Sequence, residues 1–205
     1  RPLGSGAVGS VFLSHRGDAK NPELAERFAL KVPEFDGAAA HSLSEEEFLR
    51  LFRDEAGALL ALPSHANLAR FVTFDAGARP KPILVMELVQ GPTLERRLEL
   101  GGLTTVQAFE ILDGICAGLE AMHQAGLGHL DLKPSNVILR PDPDSSSGPG
   151  SPVLVDFGLA GRSVRPGCAT ANYGAPEIWE NQATIETPSP QGADVYALGC
   201  LIYEV

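Results

Sequence analysis

The chain has 205 residues, 44% of them hydrophobic and 20% charged, which is enough for one large or two small domains with a core and excludes a wholly disordered chain. Acidic residues outnumber basic ones by 26 to 16, and the net charge of −10 excludes a general electrostatic attraction to nucleic acid or to anionic membranes. The three cysteines form no close pair, and no apolar stretch reaches the ~20 residues that a membrane helix needs. These features predict a soluble, cytoplasmic chain with no membrane segment in it.

The first 89 residues predict a small lobe that is rich in strands and contains one helix. Glycines between short apolar residues indicate a hairpin over Leu3–Leu13, and Arg27–Pro33 has the pattern of a strand closed by proline. A capping serine, three glutamates and apolar residues at helical spacing predict a helix over Ser44–Pro63. Two further apolar runs, 68–74 and 83–89, predict strands.

From residue 90 onward the pattern becomes mainly helical. Helices are predicted over Leu94–Leu100 and Thr104–Ala125, and the apolar run from Asp194 to Val205 predicts a third helix, which we expect the end of the chain to interrupt. The second of these helices is predicted to bury one apolar face, made of Phe109, Leu112, Ile115, Cys116, Leu119 and Met122.

Between these helices, a flexible surface insertion is predicted. Residues 141–152 are rich in proline, serine and glycine, and they join two short predicted strands, Val137–Leu139 and Val153–Val155.

Two features of the first lobe have the chemistry of phosphate binding. Gly4, Gly6 and Gly9 allow backbone N–H groups to approach phosphate oxygens without a β-carbon in the way, although glycines in a hairpin also serve turn geometry alone. A strand rather than a long helix follows them, which argues against a dinucleotide-binding fold. Lys31 is one of only four lysines in the chain, and it suits either a phosphate partner or a cation at a sheet edge.

The second lobe carries a denser group of polar residues. Residues 129–136 hold a carboxylate, an ammonium and an amide at Asp131, Lys133 and Asn136, in an otherwise apolar neighbourhood. Asp156 follows an apolar run and precedes Phe157-Gly158, as expected of an acid at a strand end that reaches a metal, although such a triplet alone is often only a turn.

Six motifs follow one another along the chain. They are Gly4-x-Gly6-x-x-Gly9-x-Val11, Ala29-Leu30-Lys31, a helix glutamate, residues 129–136, Asp156-Phe157-Gly158 and Ala175-Pro176-Glu177. In this order, the motifs resemble the eukaryotic-type protein kinase family over essentially the whole chain. Asp131-Leu-Lys-Pro-Ser-Asn136, and Thr170 three residues before Tyr173, are similar to its serine/threonine branch and to bacterial members. The resemblance implies an α+β, bilobal fold in a single domain over residues 1–205, with an antiparallel sheet lobe and hinge in 1–89 and a partial, mainly helical lobe in 90–205.

The resemblance also assigns roles to the polar residues of the second lobe, in a reaction where catalysis is positioning plus electrostatic stabilisation. It implies that Asp131 orients the substrate hydroxyl and accepts its proton, while Lys133 neutralises the γ-phosphate. Asn136 and Asp156 would ligate Mg²⁺, with Mn²⁺ as an alternative.

A site for ATP is implied as well. Lys31 would hold the α- and β-phosphates and pair with Glu55 of the first helix, with Asp54 and Glu47 as open alternatives. The backbone of Met86–Val89 would bind adenine, and apolar side chains would enclose the ring, although plain core packing also explains some of them. The residues expected at the nucleotide are Leu3, Gly4, Ser5, Gly6, Ala7, Val8, Gly9, Val11, Ala29, Lys31, Glu55, Met86, Glu87, Val89 and Ile138.

Two residues depart from the family pattern. Leu130 stands where many members have an arginine before the catalytic aspartate. A phosphate on the activation segment, residues 156–177, would therefore lack its usual ion-pair partner, and we expect no control by phosphorylation there. Val8 stands where the tip of the glycine-rich loop is often aromatic, and a modest loosening of that loop is expected. The later helices of the second lobe are absent, so we expect an incomplete domain.

These features predict a transferase that phosphorylates serine and threonine hydroxyls of proteins, using MgATP. A protein that binds nucleotide without transferring phosphate is the first alternative, because of Leu130 and Val8. A small-molecule kinase of related fold is the second, although Lys133-Pro134, Thr170 and residues 175–177 argue against it. Neither the substrate nor the oligomeric state follows from the sequence.

Overall fold

The structure, a computed structural model, describes residues 2–6, 9–17, 26–34, 44–142, 148–165, 167–179 and 189–205. The chain divides into two compact units. The first comprises Arg1–Leu60 and Arg70–Leu88, and the second comprises Ala61–Ala69 and Val89–Val205. The first is mainly sheet and the second mainly helix, so the predicted α+β class is confirmed.

A five-stranded antiparallel sheet forms the first unit. Its strands lie in the order β1-β2-β3-β5-β4. They are β1 (Pro2–Gly6), β2 (Gly9–His15), β3 (Arg27–Pro33), β4 (Phe71–Asp75) and β5 (Ile83–Glu87). The predicted hairpin is confirmed as β1 and β2. A β-carbon on Gly9 would lie 2.3 Å from the Val32 carbonyl oxygen, so the pairing of β2 with β3 itself requires a glycine there.

One helix, α1 (Glu45–Leu60), covers this sheet. Ser44 and Glu47 form the expected cap, because the Ser44 N–H donates to the Glu47 carboxylate at 2.9 Å and the Ser44 hydroxyl accepts from the Glu47 N–H at 3.3 Å. Phe52 is fully buried, and its ring centroid lies 6.1 Å from that of Phe74 in β4. The helix therefore packs its apolar face on the sheet.

The strand predicted over residues 68–74 is wrong at its start, because β4 begins at Phe71. Leu68 and Ala69 belong to the second unit. The Ala69 N–H donates to the Leu154 carbonyl oxygen at 2.9 Å, and the Leu154 N–H donates to the Asn67 carbonyl oxygen at 2.8 Å. Their backbone groups are thus engaged with a strand about 85 residues further along the chain, a pairing that local hydropathy cannot reveal.

The second unit is built from helices and one short strand pair. Its elements are α2 (Leu94–Leu100), α3 (Thr105–Gln124), a 3₁₀ turn (Pro134–Asn136), β6 (Val137–Arg140), β7 (Ser151–Leu154), α4 (Pro176–Trp179) and α5 (Pro190–Glu204). Thr93, Thr104 and Ser189 cap α2, α3 and α5 with their hydroxyl groups. Among the residues that the structure describes, no helix combines the length and apolarity needed to cross a membrane.

The buried face of α3 differs from the predicted one. Phe109 is 67% exposed and Cys116 is also exposed, so their predicted burial is wrong. Ile115, Leu119 and Met122 are buried as predicted, and Ile111 and Gly118 are buried with them. At about 100° per residue, Phe109 lies about 200° around the helix from Ile111, which turns it away from the core.

Strands β6 and β7 pair antiparallel, as predicted, with Val137 opposite Leu154. Each extends beyond its predicted limits at the end nearer the insertion, to Arg140 and from Ser151. Residues 143–147 of the predicted surface insertion lie outside the described residues.

Candidate active site

Four side chains of the second unit form one hydrogen-bonded group around the carboxylate of Asp131. The Lys133 ammonium donates to Asp131 Oδ2 at 2.8 Å and to the Thr170 hydroxyl at 2.9 Å. Thr170 donates to Asp131 Oδ1 at 2.7 Å, and the Asn136 amide donates to Oδ2 at 3.0 Å. The Asp131 side chain is 13% exposed, so these donors fix a carboxylate that is mostly enclosed yet reachable. The structure thus brings three predicted residues together and adds Thr170.

A buried carboxylate that the motifs do not assign holds the backbone of the catalytic loop, residues 129–136. Asp194 of α5 is fully buried and accepts from the N–H groups of His129 at 2.8 Å and Leu130 at 2.7 Å. His123, near the end of α3, donates its Nε2 proton to the same carboxylate at 2.8 Å. An acidic residue at the head of an apolar helical run is the signal that could have revealed it, because buried carboxylates are rare without partners.

These bonds hold Leu130 in the left-handed region of backbone conformation, with a φ of 63°. For a residue with a side chain, this conformation costs on the order of 1 kcal/mol. The two N–H bonds to Asp194 offset that cost, so the turn before Asp131 is fixed from α5.

His129 connects the catalytic loop to the activation segment. Its imidazole is fully buried, its ring centroid lies 5.4 Å from that of Phe157, and its Nε2 lies 3.1 Å from the Val155 carbonyl oxygen. Because a carbonyl oxygen only accepts, Nε2 carries the proton, and Nδ1 accepts from the Asp131 N–H at 3.4 Å. The ring therefore lies between Asp131 and the Asp156-Phe157-Gly158 motif.

In the first unit, Lys31 lies in the middle of the sheet and is 3% exposed. It pairs with Val11 of β2 and Leu84 of β5, and Ala29 pairs with Met86. Opposed residues and alternate residues of an antiparallel sheet share a face. One face therefore carries Lys31 together with three of the apolar residues expected around the nucleotide.

The other residues expected at the phosphates are described only in part. Leu3 in β1 is 48% exposed, and a β-carbon on Gly4 would meet nothing within 4 Å. Gly9 has a structural reason for its identity, as given above. Ala7 and Val8, and the side-chain environment of Ser5 and Gly6, lie outside the described residues.

The three candidate partners of Lys31 differ in what is described. Glu55 lies within α1, but its side chain is outside the described part of the helix. Asp54 is exposed, and the Glu47 carboxylate is engaged by Ser44 at the cap.

Of the expected hinge residues, Met86 and Val89 are buried. The Glu87 N–H donates to the Arg70 carbonyl oxygen at 2.9 Å, so this N–H is already used within the sheet. Ile138 in β6 is half-buried and forms an isolated antiparallel bridge with Thr93.

Comparison with known proteins decides the family. The family model described as "Protein kinase domain" matches residues 1–205. The chain belongs to the protein kinase domain family. It is 34% identical to the serine/threonine-protein kinase PkaA of Streptomyces coelicolor, with 100% of this chain and 37% of that kinase covered. It is 32% identical to the serine/threonine-protein kinase pkn2 of Myxococcus xanthus (100% and 23% covered) and 34% identical to PknB of Mycobacterium tuberculosis (99% and 31% covered). The chain thus spans about a quarter to two fifths of these relatives, and the predicted family is confirmed.

A protein kinase domain uses a divalent metal, and the donor set here fits one. The Val155 N–H donates to the Asn136 carbonyl oxygen at 3.0 Å, so Asp156 directly follows the residue that bonds Asn136. The Asn136 NH₂ group is directed to Asp131, which makes its amide oxygen the atom able to accept a cation. Carboxylate and amide oxygens are hard ligands that suit Mg²⁺. Within the described ranges, no group of three or more His, Cys, Asp and Glu side chains is placed to hold a metal ion.

The activation segment of this kinase domain is also attached to α5. The Tyr173 hydroxyl lies 2.8 Å from both carboxylate oxygens of Glu204, to which it donates. Burial, followed by this hydrogen bond, raises the pKa of Tyr173 well above its ordinary value. This contact holds the segment three residues after Thr170.

Proposed function

We propose that this chain is the catalytic part of a serine/threonine protein kinase, which transfers the γ-phosphoryl group of MgATP to hydroxyl groups of protein substrates. The observation that carries the proposal is the group around Asp131, in which Lys133, Asn136 and Thr170 fix the carboxylate. Family membership and relatives named as serine/threonine kinases support the same function.

The geometry suits a group that accepts a proton while it orients a hydroxyl. Asp131 accepts a hydrogen bond from the substrate hydroxyl, whose oxygen attacks the γ-phosphorus in line. The bond between the γ-phosphorus and the bridging oxygen breaks, ADP leaves with that electron pair, and the hydroxyl proton passes to Asp131. Lys133, 2.8 Å from Asp131, stabilises the negative charge on the transferred group.

Asn136 and Asp156 would hold Mg²⁺ through oxygen atoms, with Mn²⁺ as an alternative. When bound, the ion would neutralise part of the negative charge on the phosphate oxygens. Lys31 binds the α- and β-phosphates in this proposal, pairing with Glu55. The nucleotide contacts include Leu3, the glycine-rich loop over residues 4–9, and the apolar and hinge residues Val11, Ala29, Met86, Glu87, Val89 and Ile138.

By the same proposal, residues 1–89 provide the nucleotide contacts other than Ile138, and residues 90–205 bind the protein substrate and carry the transfer chemistry. The acidic net charge favours a protein rather than a nucleic acid partner. Cytoplasmic action is part of the proposal, because ATP and reduced cysteines are both expected there.

The proposal is tested by transfer of labelled γ-phosphate from MgATP, with the full-length protein that contains this chain. Wild type is compared with Asp131→Asn, which keeps the shape of the side chain and removes the base. Asp113→Asn, at an exposed position of α3, is the matched control. We expect label in phosphoserine or phosphothreonine with wild type and the control, and a loss of about a thousandfold or more with Asp131→Asn.

Two other outcomes would contradict the proposal. Binding of MgATP by folded wild-type protein without any transfer would favour the alternative of a nucleotide-binding signalling module. Transfer to aminoglycosides or amino alcohols, with none to protein, would favour a small-molecule kinase.

A further inference from the structure

An apolar cluster surrounds the residue immediately before the catalytic aspartate. Leu130 is 8% exposed and packs with Ala175, Ile178 and Ala193 in one buried group, the Leu130 cluster. Three half-buried side chains pack against this group, and all three come from the activation segment: Leu159, Val164 and Ala169. The cluster therefore gathers both ends and the middle of the segment around one leucine of the catalytic loop.

The position of Leu130 is set from outside the cluster. Its N–H donates to Asp194 Oδ1 at 2.7 Å, and this bond holds the left-handed backbone conformation. A β-carbon in that conformation has a fixed direction, so α5 and not the segment determines where the leucine side chain projects. The segment packs on a side chain that is already in place.

The contacts of Leu130 and Asp131 to the segment lie side by side. Asp131 accepts from the Thr170 hydroxyl at 2.7 Å, and the neighbouring residue Ala169 packs against the Leu130 cluster. Leu130, Asp131, Ala169 and Thr170 also line the same small cavity. An apolar and a polar contact thus connect two consecutive residues of the loop to two consecutive residues of the segment.

The three hydroxyl groups of the segment do not belong to the Leu130 cluster. Thr170 and Tyr173 are bonded to Asp131 and Glu204, and Ser163 is exposed. Leucine at position 130 has no charge, so this residue of the loop offers no ion-pair partner to a phosphate on the segment.

We propose that Leu130 is a positioning residue that orders the activation segment by burial. Its cluster holds Thr170 against Asp131 and keeps the segment in the form that binds a protein substrate, without a phosphate on the segment. This inference rests on the proposed function and names how that same site is kept competent.

The test compares Leu130→Ala with wild type in the full-length protein. Hydrogen exchange of residues 159–178, the KM for a peptide substrate, kcat and the Kd for MgATP are measured. We expect exchange in the segment to rise about tenfold and the peptide KM to rise about fivefold or more, with the Kd for MgATP within twofold. Leu130→Met, which keeps an apolar side chain of similar volume, is expected to show little of either effect.

Leu127→Ala is the matched control, because Leu127 is also buried, precedes the catalytic loop and is not a member of the cluster. If Leu130→Ala changes exchange in the segment no more than Leu127→Ala does, the proposal is overturned. It is also overturned if phosphatase treatment of wild type lowers activity more than about tenfold, because the segment would then depend on a phosphate. Wild-type protein without transfer activity would contradict the proposed function but not the role of Leu130. Hydrogen exchange would still test whether the cluster orders the segment.

Discussion

The catalytic loop and the glycine-rich hairpin carry the two best-known kinds of motif in this chain, yet they are held by different means. Polar side chains of the loop bond one another, and the backbone N–H groups of His129 and Leu130 donate to the Asp194 carboxylate across more than 60 residues of sequence. The β1–β2 hairpin is held by backbone pairing, and Gly9 is required by the close approach of Val32. A motif made of side chains can thus be tested by removing single bonds, whereas a motif made of glycines is tested by adding atoms.

Replacement of Asp194 by alanine should have the largest effect on this comparison. It leaves the buried N–H groups of His129 and Leu130 without an acceptor, at a cost of roughly 2–6 kcal/mol in the free energy of unfolding, and it releases the loop that carries Asp131. Urea unfolding and the phosphate-transfer assay measure the two losses. Asp194→Asn keeps one acceptor oxygen and should lose less. A loss under about 1 kcal/mol with the alanine variant would mean that the loop is held by other contacts.

Alanine at Gly9 and at Gly4 should separate the two roles of glycine in the hairpin. At Gly9 the new β-carbon would lie 2.3 Å from the Val32 carbonyl oxygen, so β2 or β3 must shift at a cost of about 1–3 kcal/mol. At Gly4 it would meet nothing within 4 Å, and the Tm should stay near that of wild type. Thermal unfolding of both variants is the measurement, and the KM for ATP is measured beside it. An equal fall in Tm at both positions would show that the close approach at Gly9 is not decisive.

Thr170→Ala should lower kcat about tenfold and leave the fold intact. The change removes one donor to the Asp131 carboxylate and one acceptor for the Lys133 ammonium. Within this group, the carboxylate then keeps the hydrogen bonds from Lys133 and Asn136. Thr170→Ser keeps the hydroxyl and should restore most of the activity. Steady-state kinetics at saturating ATP distinguish this from a binding effect. Equal activity of the alanine and serine variants would show that the hydroxyl does not position Asp131.

These variants also mark what the sequence could and could not predict. The helices and most strands follow from local periodicity, caps and proline stops, and the β1–β2 hairpin follows from its glycines. The start of β4 was predicted wrongly, because Ala69 bonds Leu154 rather than a neighbouring strand. The predicted burial of Phe109 was also wrong, because the apolar character of a residue does not by itself show which face of α3 is turned to the core.

The candidate site divides along the same line. Asp131, Lys133 and Asn136 lie within six residues of one another, so their association could be predicted from the motif. The role of Asp194, the link from His123 and the packing of the activation segment on Leu130 all depend on contacts between residues distant in sequence. No local pattern encodes such contacts, although an acid within an apolar helix indicates that one exists.

The smallest expected effect concerns the cap of α1, whose contacts span only three residues. The Ser44 hydroxyl, and after it the Ser44 N–H, lower the pKa of the exposed Glu47 carboxyl below its ordinary value of 4.5. A carboxyl whose pKa is lowered on folding stabilises the fold above its unfolded pKa, and this contribution disappears as the pH falls through the folded pKa.

Glu47→Gln should therefore lower the Tm slightly at pH 7, and the difference from wild type should vanish in acid below the folded pKa. Thermal unfolding of both proteins between pH 7 and about pH 3 follows the difference. A gap in Tm that stays constant across this range would assign the effect to amide geometry rather than to charge. The cap would then act as the β1–β2 hairpin does, by shape, and not as the catalytic loop does, by charged hydrogen bonds.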